Sequence, residues 1–113
     1  MKIVSEKIDI GELREMAKKM FGNLVKAVVD TEKEIMAVDA ELHSDEEQAL
    51  IESGSRQEHL WGINIYPELS GDDFFEFDSM INIRPAQKNR SRGVEDEKIR
   101  KRIMKIVNKL VKK

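Results

Sequence analysis

The chain of 113 residues has no cysteine, which excludes a disulfide framework, thiolate metal sites and cysteine nucleophiles together. It has no large excess of either charge, with 20 Lys and Arg against 22 Asp and Glu, so the strong positive field of a dedicated nucleic-acid binder is absent. Any contact with phosphates must then be local, and net charge gives no support to a nucleic-acid partner. Nowhere do about 18 apolar residues run together, and no membrane partner is expected. The opening "MKIVSEKIDIGEL" holds no apolar run long enough for a secretory signal, so the expected location is cytoplasmic. There is no P-loop, no GxSxG elbow, no internal repeat and no Pro- or Gly-rich linker. One domain spanning 1–113 is the expectation.

What is present is a packable interior, with 40% hydrophobic and 37% charged residues. The apolar period marks a helix in "IDIGELREMAKKMFG". Ile10, Leu13, Met16, Ala17, Met20 and Phe21 fall within an arc of about 140°. Asp9 and Glu12 are placed as a cap, Ile8 and Leu13 as a staple, and Gly22 as a stop. A second helix closes the chain, carried by Ile99, Ile103, Ile106, Val107 and Leu110, with acids before it and lysines at its end.

Between these helices the period changes to 2. "LVKAVVD" and "IMAVDAEL" read as a hairpin, with Met36, Val38, Ala40 and Leu42 on one face and Ile35, Ala37, Asp39, Glu41 and His43 on the other. "HLWGINIY" and "FFEFDSMINIR" read as a second strand pair. In it Trp61, Ile63, Ile65, Phe75, Phe77, Ile81 and Ile83 face the core, while Phe74 and Met80 interrupt the polar side. "KIVSEKI" adds an edge strand. The predicted architecture is α+β: a mainly antiparallel sheet of four to five strands, with the N-terminal and C-terminal helices packed on one face.

Two constellations carry chemistry. In "ELHSDEE", Ser44 and Glu47 match a capping box for a short helix ending at Gly54, which leaves His43 as a polar residue at a sheet edge. The alternative is a site. On a strand Glu41 and His43 share a face, and with Asp45 or Glu46 they can hold a divalent metal or a general base. In "INIRPAQKNRSRG", Arg84, Lys88, Arg90 and Arg92 lie among Asn82, Gln87, Asn89 and Ser91, groups suited to a phosphate or carboxylate. No aromatic side chain interrupts that basic run to offer a stacking surface.

"ELHSDEEQALIESGSRQEHLWGINIYPE" and "DSMINIRPAQKNRSRGVEDEKIRKRI" together resemble a family of short bacterial and archaeal proteins known only as a domain of unknown function. Its pattern corresponds here to His43, Ser44, Asp45, Gly54, Ser55, Gln57, Trp61, Gly62, Asn64, Ile81 to Pro85, Asn89 and Asp96. Ser44 stands where the family has Ala, and Glu97 where it has Pro at the first helical position. The resemblance implies no activity. It implies that these polar residues form one recurring signature.

Three functional expectations follow. The first is a binding or interaction module that holds an anionic small molecule, phosphate or partner protein on Asn64, Asn82, Arg84, Asn89 and Arg90. The second is a metal-assisted hydrolase, acting for example on phosphodiesters, with Glu41, His43, Asp45 and Asp78 holding the ion or base. The third is a structural homo-oligomer.

Overall fold

Strict alternation in the middle of the chain builds a five-stranded sheet, and the computed structural model describes it together with every other residue from 1 to 113. In chain order the elements are β1 (Lys2–Val4), β2 (Ile8–Asp9), α1 (Ile10–Lys19), β3 (Val25–Asp30) and β4 (Ile35–Val38). There follow α2 (His43–Glu52), β5 (Leu60–Ile65), β6 (Phe75–Glu76), α3 (Glu97–Leu110) and β7 (Val111–Lys112). The sheet runs β1-β4-β3-β5-β6 with every neighbouring pair antiparallel. A separate parallel pair, β2 and β7, fastens the first helix to the last. No helix is long and apolar enough to cross a membrane.

Alternate residues of β3 decide the two layers. Val25, Ala27 and Val29 face Trp61, Ile63 and Ile65 of β5 across the register, and this side receives Leu13 and Ala17 of α1 and Ile103, Ile106, Val107 and Leu110 of α3. The expected cover of N- and C-terminal helices on one face is therefore present. The opposite face is covered as well: Val28, Ala37 and Leu60 pack under Leu50 of α2, with Ile35 and Ile81 at the margin. A fully buried Leu50 contributes about 2 kcal/mol of that docking.

Local chemistry ends the elements. Gly22, at φ 93°, turns the chain after α1 and gives its amide to the Ala17 carbonyl at 2.6 Å. The β3–β4 turn has no glycine. Asp30 holds it instead, its Oδ1 accepting from the Glu32 and Lys33 amides at 2.9 Å each and its Oδ2 from the Ser55 hydroxyl at 2.6 Å. Asp96 caps α3 by accepting from the Lys98 amide at 2.8 Å.

Two expected strands are shorter than the pattern predicts. β4 stops at Val38 because Asp39, at φ 69°, takes the chain out of the sheet, and His43 becomes the first residue of α2. Leu42 occupies the N-cap without a side-chain bond, so the Ser44–Glu47 capping box does not form. The segment "FFEFDSMINIR" pairs with β5 only at Phe75 and Glu76. Beyond Phe77 it rises over the sheet, because Ser79 stacks on Gly62 so closely that a Cβ there would stand 2.6 Å from Ser79 Cβ. Phe75 and Phe77 reach the main core as expected, but Ile81 joins the α2 side and Ile83 is 39% exposed. Phe74, assigned to the polar side by alternation, is buried in the main core.

Candidate functional site

Most of the signature polar residues turn inward and serve as architecture. Asn82 stands where a strand residue would pair with Gly62: its Oδ1 accepts from the Gly62 amide at 2.8 Å, and its Nδ2 donates to the carbonyls of Gly62 and Arg92 at 2.9 Å each. Asn89 donates to the carbonyls of Asn82 and Gly93 at 2.8 Å each and accepts from the Glu95 amide at 2.8 Å. Arg84 lies over the Trp61 ring at 4.9 Å and donates to the carbonyls of Ile81, Gln57 and Leu60, with Glu47 at 3.5 Å. Five donors in a fixed fork suit this task, and burial holds the guanidinium below its usual pKa. Of the expected anion ligands, Asn82, Arg84 and Asn89 have thus spent their polar atoms inside the protein, chiefly on backbone.

Arg90 is exposed, and its amide and that of Ser91 donate to Glu95, which lowers the pKa of that carboxyl. Glu41 and Asp45 are both exposed, and with His43 in a helix the strand geometry that would align it with Glu41 is absent. Asp78 accepts from Arg92 Nε at 2.5 Å. His59 sits 2.5 Å from Glu32. No three His, Asp or Glu side chains gather in an arrangement that would hold a metal ion.

Another arrangement forms where α2 meets the sheet. The His43 ring descends onto β5, its Nε2 lying 2.8 Å from the Ile63 carbonyl oxygen. A carbonyl only accepts, so Nε2 carries the proton and Nδ1 is left as the ring's acceptor. Burial lowers the pKa of His43, opposed by that hydrogen bond. One turn on, Glu46 is wholly buried, and neither carboxyl oxygen has a hydrogen-bond partner. Burial pushes its pKa up to about 10, so at neutral pH it is a carboxylic acid. Lys26, Asn64 and Glu76 stand abreast on three adjacent strands, Asn64 donating to Glu76 at 2.8 Å while its buried Oδ1 has no partner.

Of these groups, His43 and Lys26 border a cleft of about 160 Å³. Lys26 and Arg92 supply two cations, Ser44 and Ser79 two hydroxyls, and His43 its ring, with Leu42, Met80 and Ile81 completing the wall. The amino end of α2 opens here with no side chain capping it, so its first amides and the positive end of its dipole are available. Leu42 and Met80 are 54% and 65% exposed at the rim. Of the residues singled out from the sequence, His43 and Ser44 line this cleft, and Asp78 reaches it through Arg92.

Lys26 escaped the sequence reading and the burial of Glu46 was not anticipated, although both left a signal. Lys26 is a cation between apolar Val25 and Ala27 in a strand, and Glu46 occupies the stripe between His43 and Leu50 that a helix of this phase must bury. Arg92 was noted as part of the basic run, but its pairing with Asp78 was not visible. Ser79 carried no signal.

A family model described as "Protein of unknown function (DUF5674)" matches residues 2–110. No curated protein matches the chain. No solved structure matches it either.

Proposed function

The chain belongs to this DUF5674 family, and from that premise we propose that it is a binding module whose ligand is a small anion held at the amino end of α2. The observation that carries this reading is the convergence of Lys26, Arg92, Ser44, Ser79 and His43 on one cleft beside uncapped helix amides. Cations supply attraction, hydroxyls and amides supply direction, and the neutral ring supplies an acceptor that becomes a donor on protonation. Asp78 offsets part of the Arg92 charge, which favours a ligand of low charge over a polyphosphate. Exposed Leu42 and Met80 at the mouth favour an anion carried on an apolar body.

Titration with inorganic phosphate and with phenyl phosphate at low ionic strength tests the reading. Phenyl phosphate is expected to bind more tightly. Lys26→Met and Arg92→Leu are each expected to weaken binding about 10-fold, the equivalent of one charge-assisted hydrogen bond. Affinity should rise as pH falls, because the His43 pKa lies below its usual value when unliganded and an anion favours the charged ring. Absence of binding by both compounds, or binding indifferent to both substitutions, overturns it.

A further inference from the structure

Charge is divided unevenly along this nearly neutral chain. Residues 98–113 contain eight Lys and Arg and no acid, whereas all 22 Asp and Glu lie in the preceding 97 residues beside twelve cations. Folding then sorts the cations by face. Ile103, Ile106, Val107 and Leu110 define the buried stripe of α3. At about 100° per residue, Lys98, Lys101, Arg102, Lys105 and Lys109 fall within about 100° of arc on the opposite side. All five are exposed. They line a ridge about 16 Å long, at a rise of about 1.5 Å per residue.

Part of this charge is already answered. Lys101 pairs with Glu97 at 3.2 Å, while Glu34 lies 3.6 Å from Arg102 and 3.2 Å from Lys109. Lys98 and Lys105 make no ion pair or hydrogen bond through their side chains, and α3 offers no fully exposed apolar residue along the ridge. An anionic membrane gives such a helix little to insert, since interfacial binding needs an apolar face beside the basic one. A phosphate backbone needs only spaced cations.

We propose that the outer face of α3 binds the phosphate backbone of nucleic acid, without reading its sequence. This surface lies on the side of the sheet opposite α2 and is independent of the small-anion cleft.

Fluorescence anisotropy with a labelled 20-mer, single-stranded and duplex in separate arms, and co-sedimentation with phosphatidylserine vesicles test the proposal. With about three phosphates neutralised, affinity for duplex should fall roughly 40-fold between about 50 and about 200 mM salt. Lys98→Glu combined with Lys105→Glu is expected to reduce nucleic-acid binding at least about 10-fold, because two attractive contacts become repulsive. Lys98→Gln with Lys105→Gln should give a smaller loss, and Lys26→Met should give none. Both double variants alter side chains without internal partners, and circular dichroism reports whether each stays folded. Binding to vesicles but to neither nucleic acid overturns the proposal in favour of a membrane. Binding to nothing at low salt overturns it outright, as does nucleic-acid binding that survives both double variants.

Discussion

Replacing Glu46 by Gln should make the protein more stable, by an amount that grows with pH. The native carboxyl is sealed against β3 and β4 without a hydrogen bond, and its pKa is about 10 against an ordinary 4.5. Below pH 4.5 the group is protonated in both folded and unfolded chains, and its ionisation costs nothing. Above that value the unfolded chain releases the proton while the folded one keeps it. Stability is then lost progressively as pH rises toward 10. Each pH unit of that window erodes up to about 1.4 kcal/mol, so by neutral pH the loss is about 3 kcal/mol. The backbone at Ala40, Lys26 on β3 and the chain's amino group favour the carboxylate, but burial, with a smaller push from Asp39 after β4, outweighs them. Gln keeps the shape and cannot ionise. Urea unfolding of both proteins at pH 5, 7 and 9 measures the difference by linear extrapolation. The two should be nearly equal at pH 5, with the Gln variant about 3 kcal/mol ahead at pH 7 and further ahead at pH 9. Parallel profiles, or a native protein more stable than the variant at pH 7, would mean that Glu46 is ionised and paired in the folded state, and the reasoning fails.

The internal polar framework makes predictions of its own. Asn82→Ala strands the buried Gly62 amide and two carbonyls, and at about 1–3 kcal/mol for an orphaned group should cost at least about 3 kcal/mol in urea unfolding. Gly62→Ala drives a methyl group against Ser79 and should cost about 1–3 kcal/mol, with Gly62→Ala/Ser79→Gly recovering most of it in a double-mutant cycle. Arg84→Lys keeps the charge but loses the planar fork over Trp61, and thermal melting should show it clearly destabilised. His43→Gln should remove the loss of stability that begins as pH falls below 6.5, since burial lowers the native imidazole pKa and the unfolded chain takes up its proton first, leaving the later loss from Glu34 and Glu95 in place.

Periodicity identified both outer helices, because Leu13 with Ala17 and Ile103 with Ile106, Val107 and Leu110 each keep to one stripe. It identified the β3–β4 hairpin and β5 for the same reason. It failed where alternation continued without a partner: "FDSMINIR" alternates like a strand, yet Ser79 on Gly62 and Asn82 in place of a ladder residue lift it off the sheet. It also failed at "DAELH", where a backbone turn at Asp39 outweighs the pattern. For the site, the sequence singled out His43 as a candidate and Ser44 as a cap, and it assigned Asn82, Arg84 and Asn89 to a ligand. Their destinations are backbone carbonyls and amides 2 to 27 residues away, which composition and spacing do not encode.

β6 is only two residues long, and past it the margin of β5 faces no further strand of its own sheet. The carboxamide of Asn82 plugs that margin at Gly62, standing in for main chain with two bonds to that residue, while a third ties it to the Arg92 carbonyl. An unplugged margin is a template on which a second copy can lay its own strand, the first step toward fibrillar stacking. One amide side chain therefore guards solubility as well as shape, and its removal should register as self-association at high protein concentration before any loss of helix.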